Sequence, residues 1–140
     1  MDEKSLYRTY VSALAIADDR ERRQRLEELL APDFVAHDLE AVLPPGNIAS
    51  LSAFRARVLA AFPDQRAEFL DVIQEGDRVA CRQRVVGTHR GPFQGVPPTG
   101  REVAIELFEW VRVAQGRIAE RWVVFDRAAL AAALNPPATS

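Results

Sequence analysis

Hydrophobic positions recur at helical spacing through the first sixty residues and at strand spacing after that. Leu6, Tyr10, Leu14 and Ala17 fall on one face of a predicted helix over residues 4–17. Asp18 and Asp19 supply N-cap signals for a second helix through Leu26, Leu29 and Leu30, which stops before Pro32. Residues 32–47 lack a period, carry His37, and end in Pro44-Pro45-Gly46-Asn47, so they read as irregular chain. A third helix starts near Ser50, with Leu51, Phe54, Val58, Ala61 and Phe62 on one side and Pro63 as its stop.

Beyond Pro63 the period falls to two. Residues 67–73 and 78–88 read as strands around the turn Glu75-Gly76-Asp77, and 102–113 and 117–125 as strands around Ala114-Gln115-Gly116-Arg117. The intervening residues 91–100 are too rich in glycine and proline to be anything but a loop. An alanine-rich helix over 127–134 ends at Pro136-Pro137, and residues 136–140 are expected to form a disordered tail. Helices first and a curled antiparallel sheet afterwards predict an α+β fold in a single domain, 1–135.

The last hairpin permits a finer reading. With Gln115-Gly116 as a two-residue turn, Val113 faces Ile118, Val111 faces Glu120, Glu109 faces Trp122, Leu107 faces Val124 and Ile105 faces Asp126. Alternation then puts Ile105, Leu107, Glu109, Glu120, Trp122 and Asp126 on one face, an apolar wall interrupted by carboxylates that suits a pocket. Phe108, Trp110, Val123 and Phe125 share the other face, which suits contact between two copies of the chain. A one-residue slip would carry one strand's side chains to the opposite face.

Composition narrows the function. The chain has 140 residues, 48% of them hydrophobic, which suffices for a core closed around a pocket. A net charge of −2 with both signs scattered, and no basic stripe, argues against a nucleic-acid partner. No apolar run approaches about 18 residues and the N-terminus is charged, so neither a membrane partner nor a signal peptide is expected, and a cytoplasmic protein is the default. One cysteine, Cys81, and two histidines offer no intrachain disulfide and argue against a zinc site. With no nucleotide loop, His-Glu-x-x-His or Gly-x-Ser-x-Gly pattern, no cofactor or metal is expected and the remaining polar groups suit proton transfer.

Asp126 heads the candidates. At the rim of an apolar cavity its carboxylate would be poorly solvated, which favours proton transfer. Equally, it precedes Arg-Ala-Ala-Leu and has the position of a helix N-cap. His37, in Phe34-Val35-Ala36-His37-Asp38, has a ring that can donate to or accept from a reacting oxygen or simply face solvent, and His89, after Gly87-Thr88, lines the pocket mouth or bonds a loop carbonyl. Glu109 and Glu120 point inward only if the register holds, and both inside would require a partner such as Arg82 or Arg84, or a wet cavity; the alternative is that Glu120 is a solvent residue near the turn. Trp122, Phe54 and Leu107 supply apolar walls. Arg20, Arg22, Arg23 and Arg25 alternate with acids and read as a solvated helix face.

Residues 87–101, Gly-Thr-His-Arg-Gly-Pro-Phe-Gln-Gly-Val-Pro-Pro-Thr-Gly-Arg, then Gly116–Trp122 and Asp126, resemble the SnoaL-like polyketide cyclases. Phe34–Asp38 and Phe62-Pro63-Asp64 resemble that family's earlier landmarks. The resemblance implies the cone-shaped fold of nuclear transport factor 2 and ketosteroid isomerase, a cystatin-like α+β barrel closed by N-terminal helices around one pocket. It also implies a homodimer through the sheet and an intramolecular aldol closure in which Asp126 is the acid/base, with His37 and His89 as pocket residues. The chain departs from the cyclases on the penultimate strand, where Glu109, Trp110, Val111 and Arg112 stand in place of a further histidine.

The expected function is a cofactor-independent acid/base enzyme on a hydrophobic carbonyl compound, with polyketide-type cyclisation leading. The alternatives are an isomerase, dehydratase, epoxide hydrolase or hydroxylation-type enzyme on the same fold, or a non-catalytic ligand-binding dimer module.

Overall fold

The computed structural model describes residues 1–38 and 45–135, so the expected tail, 136–140, and part of the proline-rich loop lie outside the described residues. Local chemistry sets most helix ends. Helix α1, Glu3–Leu14, begins where the Asp2 carboxylate accepts from Ser5 N at 2.7 Å. It ends three residues short of the expected Ala17, with Arg55 Nε donating to the Leu14 carbonyl at 3.0 Å. Asp18 caps α2, Asp19–Leu29, and an Asn47–Ser50 capping box opens α3, Ile48–Ala61.

Strand β1, Leu30–Asp38, corrects the expectation of an irregular segment: it pairs parallel with the last strand. It is hard to see because Pro32 removes a ladder donor, tolerable at a sheet edge, and pairing is interrupted between Leu30 and Val35. Strands β2, Arg66–Glu75, β3, Arg78–Thr88, β4, Glu102–Ala114, and β5, Arg117–Phe125, run antiparallel, and the sheet order is β1-β5-β4-β3-β2. The α+β class therefore stands, with one parallel pair and with β1 and β2 as open edges. Helix α4, Arg127–Leu134, closes the described chain.

The β4–β5 turn forms as expected. Gln115 and Gly116 take φ values of 52° and 74°, and Val113 faces Ile118. The ladder then shifts, because Ala119 is one residue too many: Arg112 faces Glu120, Val111 faces Arg121, Glu109 faces Val123 and Leu107 faces Phe125. Alternation along β4 is as read from the sequence, but every β5 residue after the bulge changes side. Arg121, Val123 and Phe125 turn inward, while Glu120, Trp122 and Val124 turn outward beside Phe108 and Trp110.

The largest buried cluster lies between α1, α2 and the inner sheet face, around Tyr7, Tyr10, Leu26, Leu30, Val79, Val111 and Ile118. A second joins Phe62, Phe93, Val103, Leu130 and Leu134 near α4. Arg22 is not part of a solvated face. Its side chain is buried, donating to the Ile16 and Ser52 carbonyls and pairing with Asp19. Among the described residues no helix is long and apolar enough to cross a membrane.

Gly91 presses the β3–β4 loop against the end of α3. A Cβ at this position would sit 2.4 Å from the Ala60 carbonyl oxygen, a backbone atom, while Arg90 N and Gly91 N both donate to Ala61 O. Gly91→Ala is expected to lower stability by about 1–3 kcal/mol, the usual cost of overpacking. Urea unfolding checks this, and a change below about 0.5 kcal/mol would show that the loop does not need this approach.

Candidate active site

Between the inner sheet face and helices α1 and α3 lies a cavity of about 610 Å³, within the range that holds drug-sized molecules. Val58, Phe62, Val85, Ile105, Leu107 and Val123 are among its apolar walls, and Phe54 borders it from α3. Leu107 and Phe54, expected as apolar walls, are both among the residues that line this cavity.

The polar end of the cavity is built around Glu109. Its side chain is 3% exposed and receives three groups from two elements, α1 and β5. Tyr7 Oη donates to Oε1 at 2.6 Å, Tyr10 Oη donates to Oε2 at 3.0 Å, and Arg121 Nε lies 3.0 Å from Oε2. The Arg121 contact is one of charge, since its Nε–H is not aimed along a hydrogen bond. Gln83 Nε2 donates to Tyr7 Oη at 2.9 Å, extending the network across β3. The expected partners Arg82 and Arg84 lie on the outer face instead, paired with Asp71, Glu106 and Glu68.

Burial sets the electrostatics here. It raises the Tyr7 phenol far above its ordinary value, and the adjacent Glu109 charge and hydrogen bond raise it further. The Tyr10 phenol is pushed up by burial and by Glu109, against the lowering effect of Arg121. Both tyrosines are therefore neutral O–H donors at physiological pH. Burial disfavours the Arg121 cation, but Tyr10, Glu109 and Tyr7 together outweigh it and hold the guanidinium charged.

Arg55 stands apart. Burial, then the charge of Arg121, draws its guanidinium down to about 10, still charged near neutral pH. It borders the cavity while holding the Leu14 carbonyl and the Gln65 side chain, both neutral.

Other expected residues lie elsewhere. Trp122 and Glu120 face outward because of the bulge, correcting their assignment to the pocket wall. His37, level with Trp122 on the neighbouring strand, follows them. Its residue touches the cavity edge, but the ring stacks on Trp122 at 5.1 Å and Nε2 lies 2.6 Å from Glu120 Oε2. Arg112 Nε donates to the other Glu120 oxygen at 3.1 Å, and His37 and Arg112 together hold that carboxyl below the usual carboxylate range.

His89 is fully buried yet not on the cavity wall. It fastens the β3–β4 loop, with its backbone bonded to Gly100 and Arg101, its Nδ1 accepting from Thr99 N at 3.3 Å and its ring stacked on Phe62. Asp126 does not border the cavity. It is exposed and accepts from Ala129 N at 2.9 Å as the N-cap of α4, which is the second of the two readings its sequence position allowed.

Tyr7, Tyr10, Gln83, Arg55 and Arg121 are the site residues that the sequence reading missed. The tyrosine pair carried a usable signal: two phenols three residues apart on a buried helix face need a shared acceptor inside. Among the described residues no cluster of three or more His, Cys, Asp or Glu side chains is placed to hold a metal.

Comparison with known proteins adds a lineage. A family model described as SnoaL-like polyketide cyclase matches residues 4–134. AclR, a proposed hydroxylase from Streptomyces galilaeus, is 30% identical, with a TM-score of 0.81 over 99% of this chain and 85% of its own. IdmH, a proposed polyketide cyclase from Streptomyces antibioticus, is also 30% identical, with a TM-score of 0.77 over 96% of this chain and 99% of its own. A proposed SnoaL-like polyketide cyclase from Jannaschia sp. CCS1 is 26% identical, with a TM-score of 0.81 over 96% of this chain and 92% of its own. No curated protein matches the chain.

Two outcomes follow. Asp126→Ala should cost about 1 kcal/mol by loss of the cap, whereas Asp126→Asn, which still caps, should change stability little. Equal losses in chemical denaturation would argue against capping. The depressed Glu120 carboxyl contributes stability above its ordinary value of 4.5, and that contribution fades as pH falls through the lower folded-state value. Glu120→Gln should therefore lower Tm at pH 7 and converge with the parent in acid, and a deficit equally large at both ends of the pH range would remove this linkage.

Proposed function

Since the chain belongs to the SnoaL-like polyketide cyclase family, we propose that it is a cofactor-independent acid/base enzyme that closes a ring in a hydrophobic polyketone by intramolecular aldol chemistry, with Glu109 as the base. One observation carries this reading. Glu109 is the carboxylate that borders an otherwise largely apolar cavity, and a cation and two neutral hydroxyl donors surround it. Asp126 and His37, candidates for this role by position in the sequence, cap a helix and pair on the outer sheet face respectively.

The chemistry balances without redox. Glu109 takes a proton from the carbon α to a carbonyl, and the electron pair of the broken C–H bond moves onto the carbonyl oxygen as an enolate. Negative charge thus passes from Glu109 to the substrate oxygen, and Arg121 beside Glu109 can follow it. The enolate carbon attacks a second carbonyl of the same chain, forming the C–C bond. The resulting alkoxide recovers the proton from Glu109. Tyr7 and Tyr10 fix the carboxyl orientation throughout, and the apolar walls hold the chain folded and exclude water.

The likeness to AclR over nearly the whole chain favours one second reading, a hydroxylation-type step with dioxygen as co-substrate. The electron pair of the same carbanion goes to dioxygen to form a hydroperoxide, and an external two-electron reductant cleaves its O–O bond to leave the alcohol and water. Product mass separates the two. Aldol closure gives an isomer of the substrate, and hydroxylation gives a product heavier by one oxygen.

The outward sheet face supports a homodimer as part of this proposal. Phe108 and Trp110 are each about half exposed there, with Val124 and Trp122 alongside; Val123 and Phe125, expected on this surface, line the cavity instead. Trp110→Glu should yield monomer by light scattering, and an unchanged mass would remove that surface from consideration.

For the chemistry, Glu109→Asp keeps the charge and withdraws the carboxyl by one methylene. On a panel of linear polyketones it should lower kcat about 100-fold, the scale of a 1 Å misplacement, with little change in KM. Asp126→Asn should stay within a few-fold of the parent. Full turnover in folded Glu109→Asp, or its loss in Asp126→Asn, would transfer the role of base away from Glu109.

A further inference from the structure

The charge of the cavity runs against the charge of the protein. The chain carries a net −2, yet Arg55, Arg57, Arg66, Arg121 and Arg127 border the cavity and Glu109 is the acid among its described lining residues. Glu109 is matched by Arg121. Arg55 has no such match, since among the described residues it forms no ion pair, and its hydrogen bonds go to the Leu14 carbonyl and the Gln65 side chain. A cation withdrawn from water needs an opposite charge, and here the space in front of it is a cavity.

We propose that this cavity takes its substrate as an anion, a hydrophobic acid whose carboxylate is gripped by the Arg55 guanidinium while its apolar body lies along Phe54, Leu107 and Val123. The inference rests on the reading of the cavity as the site for a hydrophobic carbonyl compound and names the end by which that compound is held. Nε and one terminal nitrogen of Arg55 are engaged by neutral acceptors, which fixes the plane of the guanidinium, and no hydrogen bond to protein holds its Nη1 among the described residues. A planar carboxylate matches a guanidinium fixed in that way, whereas a neutral ketone or ester leaves the charge unmet. Arg55 is then the anchor and Glu109 the reacting group, and a bound acid has its carboxylate held within electrostatic reach of the Tyr10–Glu109–Arg121 cluster.

A simpler role also fits Arg55, which closes the C-terminal end of α1 through Leu14. A paired-ligand titration separates the two. Calorimetry with 2-naphthoate and with 2-naphthamide, equal in shape and different in charge, should show at least tenfold tighter binding of the acid by the parent protein at pH 7. Arg55→Gln should bind the two alike and retain the parent's affinity for the amide, Arg55→Lys should keep part of the preference, and Arg20→Gln, on the exposed side of α2 away from the cavity, should keep it in full. Equal binding of acid and amide by the parent, or a preference that survives Arg55→Gln, overturns the inference while leaving the hydrophobic-cavity reading intact. Binding of neither probe overturns both. Should Arg55→Gln fail to fold, a crystal structure of the parent with 2-naphthoate decides: a carboxylate on Arg55 supports the proposal, and a carboxylate placed elsewhere removes it.

Discussion

The bulge at Ala119 decides which half of β5 faces the interior, and the chemistry of the cavity follows from it. A regular ladder from the Gln115-Gly116 turn would have placed Glu120 and Trp122 against Glu109 and left Arg121 in solvent. Two carboxylates would then have shared one apolar wall without a cation, an arrangement that low-dielectric surroundings penalise heavily. The extra residue exchanges Glu120 for Arg121 and turns an electrostatic conflict into a matched pair. It also delivers Glu120 to the outer face, where Arg112 and His37 receive it.

Matching inside is incomplete in an informative way. Tyr7, Tyr10 and Arg121 satisfy Glu109, and the buried side chain of Arg22 finds Asp19 and three carbonyls. Arg55 is the buried-side cation left with neutral partners. Closing α1 at Leu14 calls for a donor here but not for a charge, since a neutral donor would serve without the desolvation cost of a cation. Charge left unmatched beside an empty volume is what a site built for an oppositely charged ligand would present.

Much of the fold could be read from the residues because its signals are local. The caps at Asp18 and Asp126, the Gln115-Gly116 turn, the Gly91–Gly100 loop and the alternation along β4 each depend on neighbours in the chain. The features that escaped are non-local. Strand β1 owes its existence to β5, some eighty residues later, and its own Pro32 argues against it. The bulge has no marker, since Ala119 is neither glycine nor polar and only the packed result selects it. One register step was enough to move Trp122 and Glu120 out of the predicted pocket and, through strand pairing, to draw the His37 ring onto them while its residue still borders the cavity edge. Glu109 and Leu107 stayed in place because β4 lies before the bulge.

The bonds from Tyr7 and Tyr10 to Glu109 span 102 and 99 residues of sequence. Closing so long a stretch of chain is among the slower events in folding, and it gains contact energy only once the intervening strands are laid down. The N-terminal helix, although made first, can complete the polar end of the cavity only after β4 and β5 have met. Completion of the cavity's polar end during synthesis is therefore tied to the last third of the chain, and a partly made or C-terminally clipped molecule would carry the cavity's helices without the Glu109–Arg121 pair.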